Sequence, residues 1–274
     1  MKTSTPTNRM GDGGDVMRSG LVAFVRIAGC SAGLGVLSLV TGSPVAAAEP
    51  DPAARTIVVD AGHGGIDGGA CGAGIVEKTV TLDVAGRVAH ALAADGWQVW
   101  MTRDRDTDVS RLYKSHLPTR HKRDLQNRLD FVRFTRAVGV ISIHVNSSAN
   151  SRDRGPLVFY DVHSEAGRQL AQSVQAALNR VADSTQRAVG RRNLFLIRHA
   201  PCPAILVELG FLTNASDAAR LKDPHYLQRT ALAMADAASH ALQKAVIPPP
   251  YQKHPVTLDW VKPSFGTFDK IRVQ

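Results

Sequence analysis

Three cysteines in 274 residues do not make a disulfide scaffold, and a chain of this length does not need one to fold. Cys30 lies in a segment that reads as a leader; for Cys71 and Cys202, a mutual disulfide and two free thiols both stay open. The glycine-rich stretch after residue 60 lacks the Gly-Lys-Ser/Thr ending of a phosphate-binding loop. It also lacks Gly-x-Gly-x-x-Gly spacing ahead of a helix, which argues against a nucleotide cradle. No His-x-x-x-His pair occurs, so a metal would have to be gathered from separate parts of the chain. Acidic residues are few, 24 against 33 lysines and arginines, and no internal repeat is evident.

What is present begins with a leader. Arg18 and Arg26 flank and punctuate an apolar run from Leu21 to Val40. Gly42-Ser43-Pro44 then breaks any helix, and Ala46-Ala47-Ala48 offers the small residues of a cleavage site, the order of a secretory signal. Initiation at Met10 or Met17 fits the long basic start. An uncleaved membrane anchor is the alternative, weakened by Arg26 and the small residues; Ile27-Ala28-Gly29-Cys30 has the shape of a lipoprotein cleavage box but stands too early in the run. The division expected is residues 1–48 signal peptide, 49–54 linker, 55–245 a catalytic domain and 246–274 a Pro-rich tail opening on Ile247-Pro-Pro-Pro250. The leader carries +2 of the formal +9, so the exported chain keeps +7. A basic exported protein is drawn to anionic wall polymers or headgroups; export argues against nucleic acid, and after cleavage no membrane segment remains.

Thr56-Ile-Val-Val-Asp60 reads as a buried strand running into Ala61-Gly-His-Gly-Gly65. Val80, Val84, Val88 and Leu92 recur every four residues and predict a helix from Lys78 to Ala94. Trp97–Met101, Val138–Ile143, Pro156–Tyr160, Leu194–Ile197 and Ala204–Val207 read as strands. Asp124–Val138, Glu165–Val181 and a last segment opening at Asp223-Pro224 read as helices. Alternating elements predict a single α/β domain with a mostly parallel central sheet flanked by helices on both faces.

In such sheets active sites lie beyond the carboxyl ends of the strands. His63 follows the first strand, His144 follows Val140–Ile143, and Glu208 follows Ala204–Val207. Glu77 stands at the head of the helix after the glycine-rich loop. Two imidazoles and a carboxylate form a three-ligand zinc set, and a second carboxylate supplies the base and acid of metal-assisted hydrolysis. Either histidine alone reads equally as a hydrogen-bonded loop residue. Glu208, after an apolar strand, must be paired or near a metal.

Val59-Asp-Ala-Gly-His-Gly-Gly65 with Asp67-Gly-Gly-Ala-Cys-Gly72 and Glu77-Lys78, then Thr102-Arg-Asp104, Ile141–Asn146 and Val207–Asn214, resembles in order the blocks of the zinc-dependent N-acetylmuramoyl-L-alanine amidases of the amidase 3 type. The resemblance spans roughly residues 56 to 244. It implies a twisted, mainly parallel sheet, one Zn²⁺ per chain on His63, Glu77 and His144, Glu208 as the catalytic carboxylate, and hydrolysis of the amide between N-acetylmuramic acid and L-alanine in peptidoglycan. The basic insertion Arg111–Arg123, with Gly155–Tyr160 and Leu194–His199, is similar to germination-specific amidases acting on spore cortex; the plainer reading of the insertion is a solvated charged loop. It is also a candidate docking surface for an activating partner or an anionic wall polymer. Ser164–Asn193 has room for one helix and not for the blocking insertion of divisional relatives. A zinc peptidase cutting within the stem, or a non-catalytic wall-binding protein on the same fold, are the competing readings.

Overall fold

The computed structural model describes residues 55–113 and 116–244; the expected leader, linker and tail lie outside the described residues. β1 (Thr56–Ala61) is buried along its whole length and runs into the glycine-rich loop. A short hairpin, β2 (Cys71–Gly72) and β3 (Ile75–Val76), leads directly into α1 (Glu77–Ala94). There follow β4 (Gln98–Met101), α2 (Arg120–Thr135), β5 (Gly139–Asn146), β6 (Leu157–Asp161), α3 (Glu165–Ala182), β7 (Val189–Arg191), α4 (Phe195–His199), β8 (Ala204–Phe211), α5 (Ala215–Arg220) and α6 (Pro224–Lys244). Among the described residues, no helix is long and apolar enough to cross a membrane.

The main sheet has the order β4-β1-β5-β8-β6-β7. β4, β1, β5 and β8 are mutually parallel; β6 runs against β8, and β7 parallels β6. One face is covered by α1, α3 and α6, whose stripes Val80–Val84–Val88–Leu92, Leu170–Val174–Leu178 and Leu227–Ala231–Met234–Leu242 merge with Ile57, Val59, Ile141, Ile143, Ile205 and Val207 into one cluster. Each fully buried Val or Leu of these stripes contributes about 1.5–3 kcal/mol. Ser164 caps α3 by accepting a hydrogen bond from the Gly167 N–H, as a helix start requires.

Two expectations are corrected. Leu194–Ile197 is not a strand: Phe195–His199 is the short helix α4, with Leu196 and Ile197 buried. An apolar run of four residues has no period to tell the two apart. Helix α2 begins at Arg120, four residues ahead of the expected Asp124, because Thr119 caps it, its Oγ1 accepting from the Lys122 N–H at 3.2 Å. It ends at Thr135, where Arg136 takes a left-handed φ of 52°. The basic insertion is thus partly the first turn of a helix.

α2 and α4 cover part of the opposite face, and strand register arranges that face in transverse rows. Trp100, Val58, Val140 and Ala204 form an apolar row. Asp60, Ser142, Leu206 and Phe159 form the next. His144, Glu208 and Leu157 form the third, towards the carboxyl ends of the parallel strands. In the middle row Asp60 accepts from Arg128 Nη1 and Ser142 Oγ, each at 2.5 Å, and from Thr102 Oγ1 at 2.7 Å. Arg128 Nε also donates to Asp124 at 2.7 Å. Burial pushes the Asp60 carboxyl up, but the Arg128 charge and the two hydroxyls prevail and hold it at about 2, against an ordinary 3.8.

Replacing Arg128 with Met leaves Asp60 and Asp124 buried without their cation, and we expect a loss of about 3–5 kcal/mol in denaturant unfolding at neutral pH. Because the folded value of Asp60 is depressed, its contribution is complete above about pH 4 and is lost as pH falls towards 2. Acid unfolding of the wild type should therefore deepen across that window; an Arg128→Met protein as stable as wild type at pH 7 would refute the role given to the pair.

Candidate metal centre

The third row is where the four residues singled out in the sequence meet. β1 ends at Ala61, and Gly62 turns the chain over the His144 ring: a Cβ at Gly62 would lie 2.4 Å from His144 Cε1, so only glycine fits. His63 follows in the left-handed region, φ 60°, a conformation a non-glycine residue keeps only when its surroundings enforce it. The loop then closes back on α1. Gly69, φ +66°, passes so near that a Cβ would lie 2.5 Å from Glu77 Oε2. Glu77, the first residue of α1, is brought beneath the loop, with Ala70 N–H donating to its Oε2 at 2.7 Å and Val145 N–H to its Oε1 at 2.9 Å.

His63 Nε2 lies 3.1 Å and His144 Nδ1 3.0 Å from Glu77 Oε1, and the two ring nitrogens are 3.2 Å apart. Three donor atoms from three separate segments thus face one point, a set able to hold a metal ion. Both histidines keep about a fifth of their side-chain surface exposed while Glu77 keeps 4%, so the point is reachable from solvent. The outer nitrogen of His63, Nδ1, lies 3.1 Å from Asp67 Oδ1. Asp67 is itself held by the Gly69 N–H and by Arg120, 3.5 Å away. Such a carboxylate orients an imidazole and fixes which nitrogen faces inward. Sequence reasoning quoted Asp67 only within a motif; a carboxylate four residues after His63 in a glycine-rich loop was the available signal.

Burial opposes charge on both His63 and Glu77, and their contact reverses the outcome for each. Hydrogen bonding to Glu77, its charge and Asp67 raise the His63 pKa, while the two histidines hold Glu77 well below the carboxylate range. Glu208 is different. It pairs in register with His144, its Oε2 is buried without a hydrogen-bond partner among the described residues, and burial pushes its pKa up to about 7, His144 and His63 opposing and Glu77 assisting. Burial thus moves its proton exchange towards neutrality. Cys71, on β2, is exposed and Cys202 is partly buried; both are free thiols, the latter pushed up to about 12 by burial.

A raised folded pKa means that Glu208 favours folding only while protonated. Its burial costs nothing below about pH 4.5 and progressively more up to about pH 7. In the metal-free protein, Glu208→Gln should therefore be stabilised at pH 8 by on the order of 3 kcal/mol, a tenfold change in proton affinity being worth about 1.4 kcal/mol, with no gain at pH 4. Melting curves of chelator-treated protein at the two pH values test this; a gain of equal size at both would contradict the burial of a charge.

The family described as N-acetylmuramoyl-L-alanine amidase matches residues 57–240. The chain is 35% identical over 178 residues to the germination-specific N-acetylmuramoyl-L-alanine amidase of Bacillus subtilis, covering 65% of this chain and 75% of that one. It is 34% identical over 184 residues to the amidase LytC of the same organism, spanning 66% of this chain and only 34% of LytC. Among solved structures, the CwlD amidase of Clostridioides difficile, in complex with the GerS lipoprotein, superposes with a TM-score of 0.64 at 29% identity, covering 69% of this chain and 98% of that one. The catalytic domain of CwlV from Bacillus (Paenibacillus) polymyxa gives 0.59 at 30% identity, with 69% and 98% covered.

Proposed function

The chain belongs to the N-acetylmuramoyl-L-alanine amidase family, and on that premise we propose that it is a zinc enzyme that removes peptide stems from peptidoglycan by cutting the amide between the muramic-acid lactyl group and L-alanine. The observation that carries the reading is the convergence of His63 Nε2, Glu77 Oε1 and His144 Nδ1 on one point, beside Glu208, whose buried Oε2 has no partner among the described residues. Two imidazoles and one carboxylate match zinc in donor type and leave room for water or substrate. The ion would supply Lewis acidity to the scissile carbonyl and to the attacking water.

The chain's own residues do the rest. Asp67 keeps His63 turned inward, and the main-chain N–H groups of Ala70 and Val145 keep Glu77 from rotating away. Glu208 takes the proton of the attacking water and returns it to the departing alanine nitrogen, burial making its carboxylate a stronger proton acceptor than an exposed one. Among the described residues no competing hydrogen bond holds Glu208 Oε2, which leaves it free to exchange its proton. The connection from β6 to β7 holds α3 and no second helix, which supports a centre open without displacement of an internal segment. Similarity to the Bacillus subtilis enzyme supports a spore-cortex substrate, and the leader supports action outside the cytoplasm. Exposed Arg111, His121 and Lys122 are available to an anionic wall polymer or an activating partner, whereas Arg120 is turned towards Asp67.

Glu208→Gln should retain zinc and lose at least about 100-fold in turnover, the usual contribution of a positioned acid–base group. Metal content measured beside digestion of defined muropeptides tests it; newly exposed L-alanine amino groups identify an amidase, and another N-terminal residue a peptidase. His63→Ala and His144→Ala should lose both metal and activity, and full zinc occupancy in either would remove that residue from the ligand set. Reversing charge at Arg111 and Lys122 should weaken binding to isolated walls and flatten its dependence on salt, leaving hydrolysis of small soluble muropeptides unchanged. Equal wall binding by this double variant would exclude the insertion as a polymer-docking surface.

A further inference from the structure

Arg103 follows β4 and is 3% exposed, yet among the described residues every acceptor it reaches is a main-chain carbonyl or the Thr81 hydroxyl. Its Nε donates to Ala61 O at 3.0 Å and its Nη1 to Arg105 O at 3.1 Å. Its Nη2 donates to Gly62 O at 2.9 Å, to Lys78 O at 2.8 Å and to Thr81 Oγ1 at 3.0 Å. Gly62 immediately precedes His63, and Lys78 immediately follows Glu77. One nitrogen therefore ties the main chain beside one donor residue to the main chain beside another. Thr81 Oγ1 repeats the bridge, donating to Gly62 O at 2.8 Å and lying 3.1 Å from Lys78 O.

We propose that Arg103 is a positioning residue of the metal centre, setting the separation of the β1 loop that carries His63 from the α1 terminus that carries Glu77. Burying a guanidinium is costly unless its donors are used, and here they are used on the two segments whose relative position decides whether His63 Nε2 and Glu77 Oε1 stay 3.1 Å apart. The left-handed φ of His63 gives the loop a reason to relax if released. Lysine keeps the charge but presents it at one point; it cannot span the carbonyls of Ala61, Gly62 and Lys78 together. The shaft of Arg103 also sets how near the loop can come: a Cβ at Gly64 would lie 2.9 Å from its Cδ and Nε.

The inference rests on the reading of His63, Glu77 and His144 as metal ligands. It is tested by measuring the Zn²⁺ dissociation constant of the full chain by chelator competition, together with the visible spectrum of its Co²⁺ form. Arg103→Lys should bind zinc ~10–100-fold more weakly, the usual effect of losing a group that orients a ligand, with a shifted Co²⁺ spectrum. Thr81→Val should move both readouts the same way by less. Leu242→Ala, which opens the core beneath Gly139 on the far side of the sheet, should lower the melting temperature and leave zinc binding and spectrum unchanged. Wild-type affinity and spectrum in Arg103→Lys, or an equal loss in Leu242→Ala, would overturn the proposal. Should Arg103→Lys fail to fold, Thr81→Val decides alone: weaker zinc binding sustains it and wild-type binding overturns it. Zinc binding that survives His63→Ala would sink the ligand assignment itself, and this inference with it.

Discussion

Asp60 sits in the middle of the sheet with almost no access to water, and its charge is tolerable there only because Arg128 reaches it from α2. The same guanidinium continues upward. Its Nη1 also donates to Ala61 O at 2.8 Å, and its Nη2 donates to His63 O at 2.7 Å. An ion pair of this kind adds little stability over a well-packed apolar pair, though losing one member is expensive. What it gives here is direction. A charge anchored at one row of the sheet fixes a planar fork of donors, and the fork fixes where the carbonyls of Ala61 and His63 lie. The left-handed turn at His63 is held by that placement.

Much of this was legible in the sequence because it depends on periodicity. The four-residue recurrence from Val80 to Leu92 marks α1, and His63, His144 and Glu208 after their apolar runs mark the sheet edge that carries the site, although β5 and β8 continue to Asn146 and Phe211. What was not legible is what runs across the chain. Asp67 and Arg103 stand inside motif blocks and Arg128 inside a predicted helix, and only folding shows the two arginines buried and the aspartate turned onto a histidine. The buried side of α2 carries Asp124, Asn127 and Arg128 beside Leu129, Phe131 and Val132, so its apolar spacing marks only part of the face it buries. Leu194–Ile197 failed for the opposite reason, having too few residues to show any period.

The site carries its own costs. Glu208 is held where its charged form is disfavoured, and His63 where its backbone is. The first cost is offset only in part, by His144 and His63. Both are permitted because the apolar row beneath and the helical layer on the far face supply the stability that the third row gives up. The same division separates the elements whose loss would unfold the chain from those whose loss would leave a folded, inactive one.

The reversal of β6 against β8 has a consequence for how such a protein can be elaborated. Because β6 starts beside Glu208 and runs away from it, the short link from β6 to α3 lies at the remote edge of the sheet. The link from α3 to β7 returns to the reactive edge, where Gln186 donates to Arg154 O. Residues added at the first junction would hang clear of the chemistry, and residues added at the second would arrive over its mouth. Strand polarity alone thus designates one junction where a graft acts as a plug and another where it is a harmless ornament.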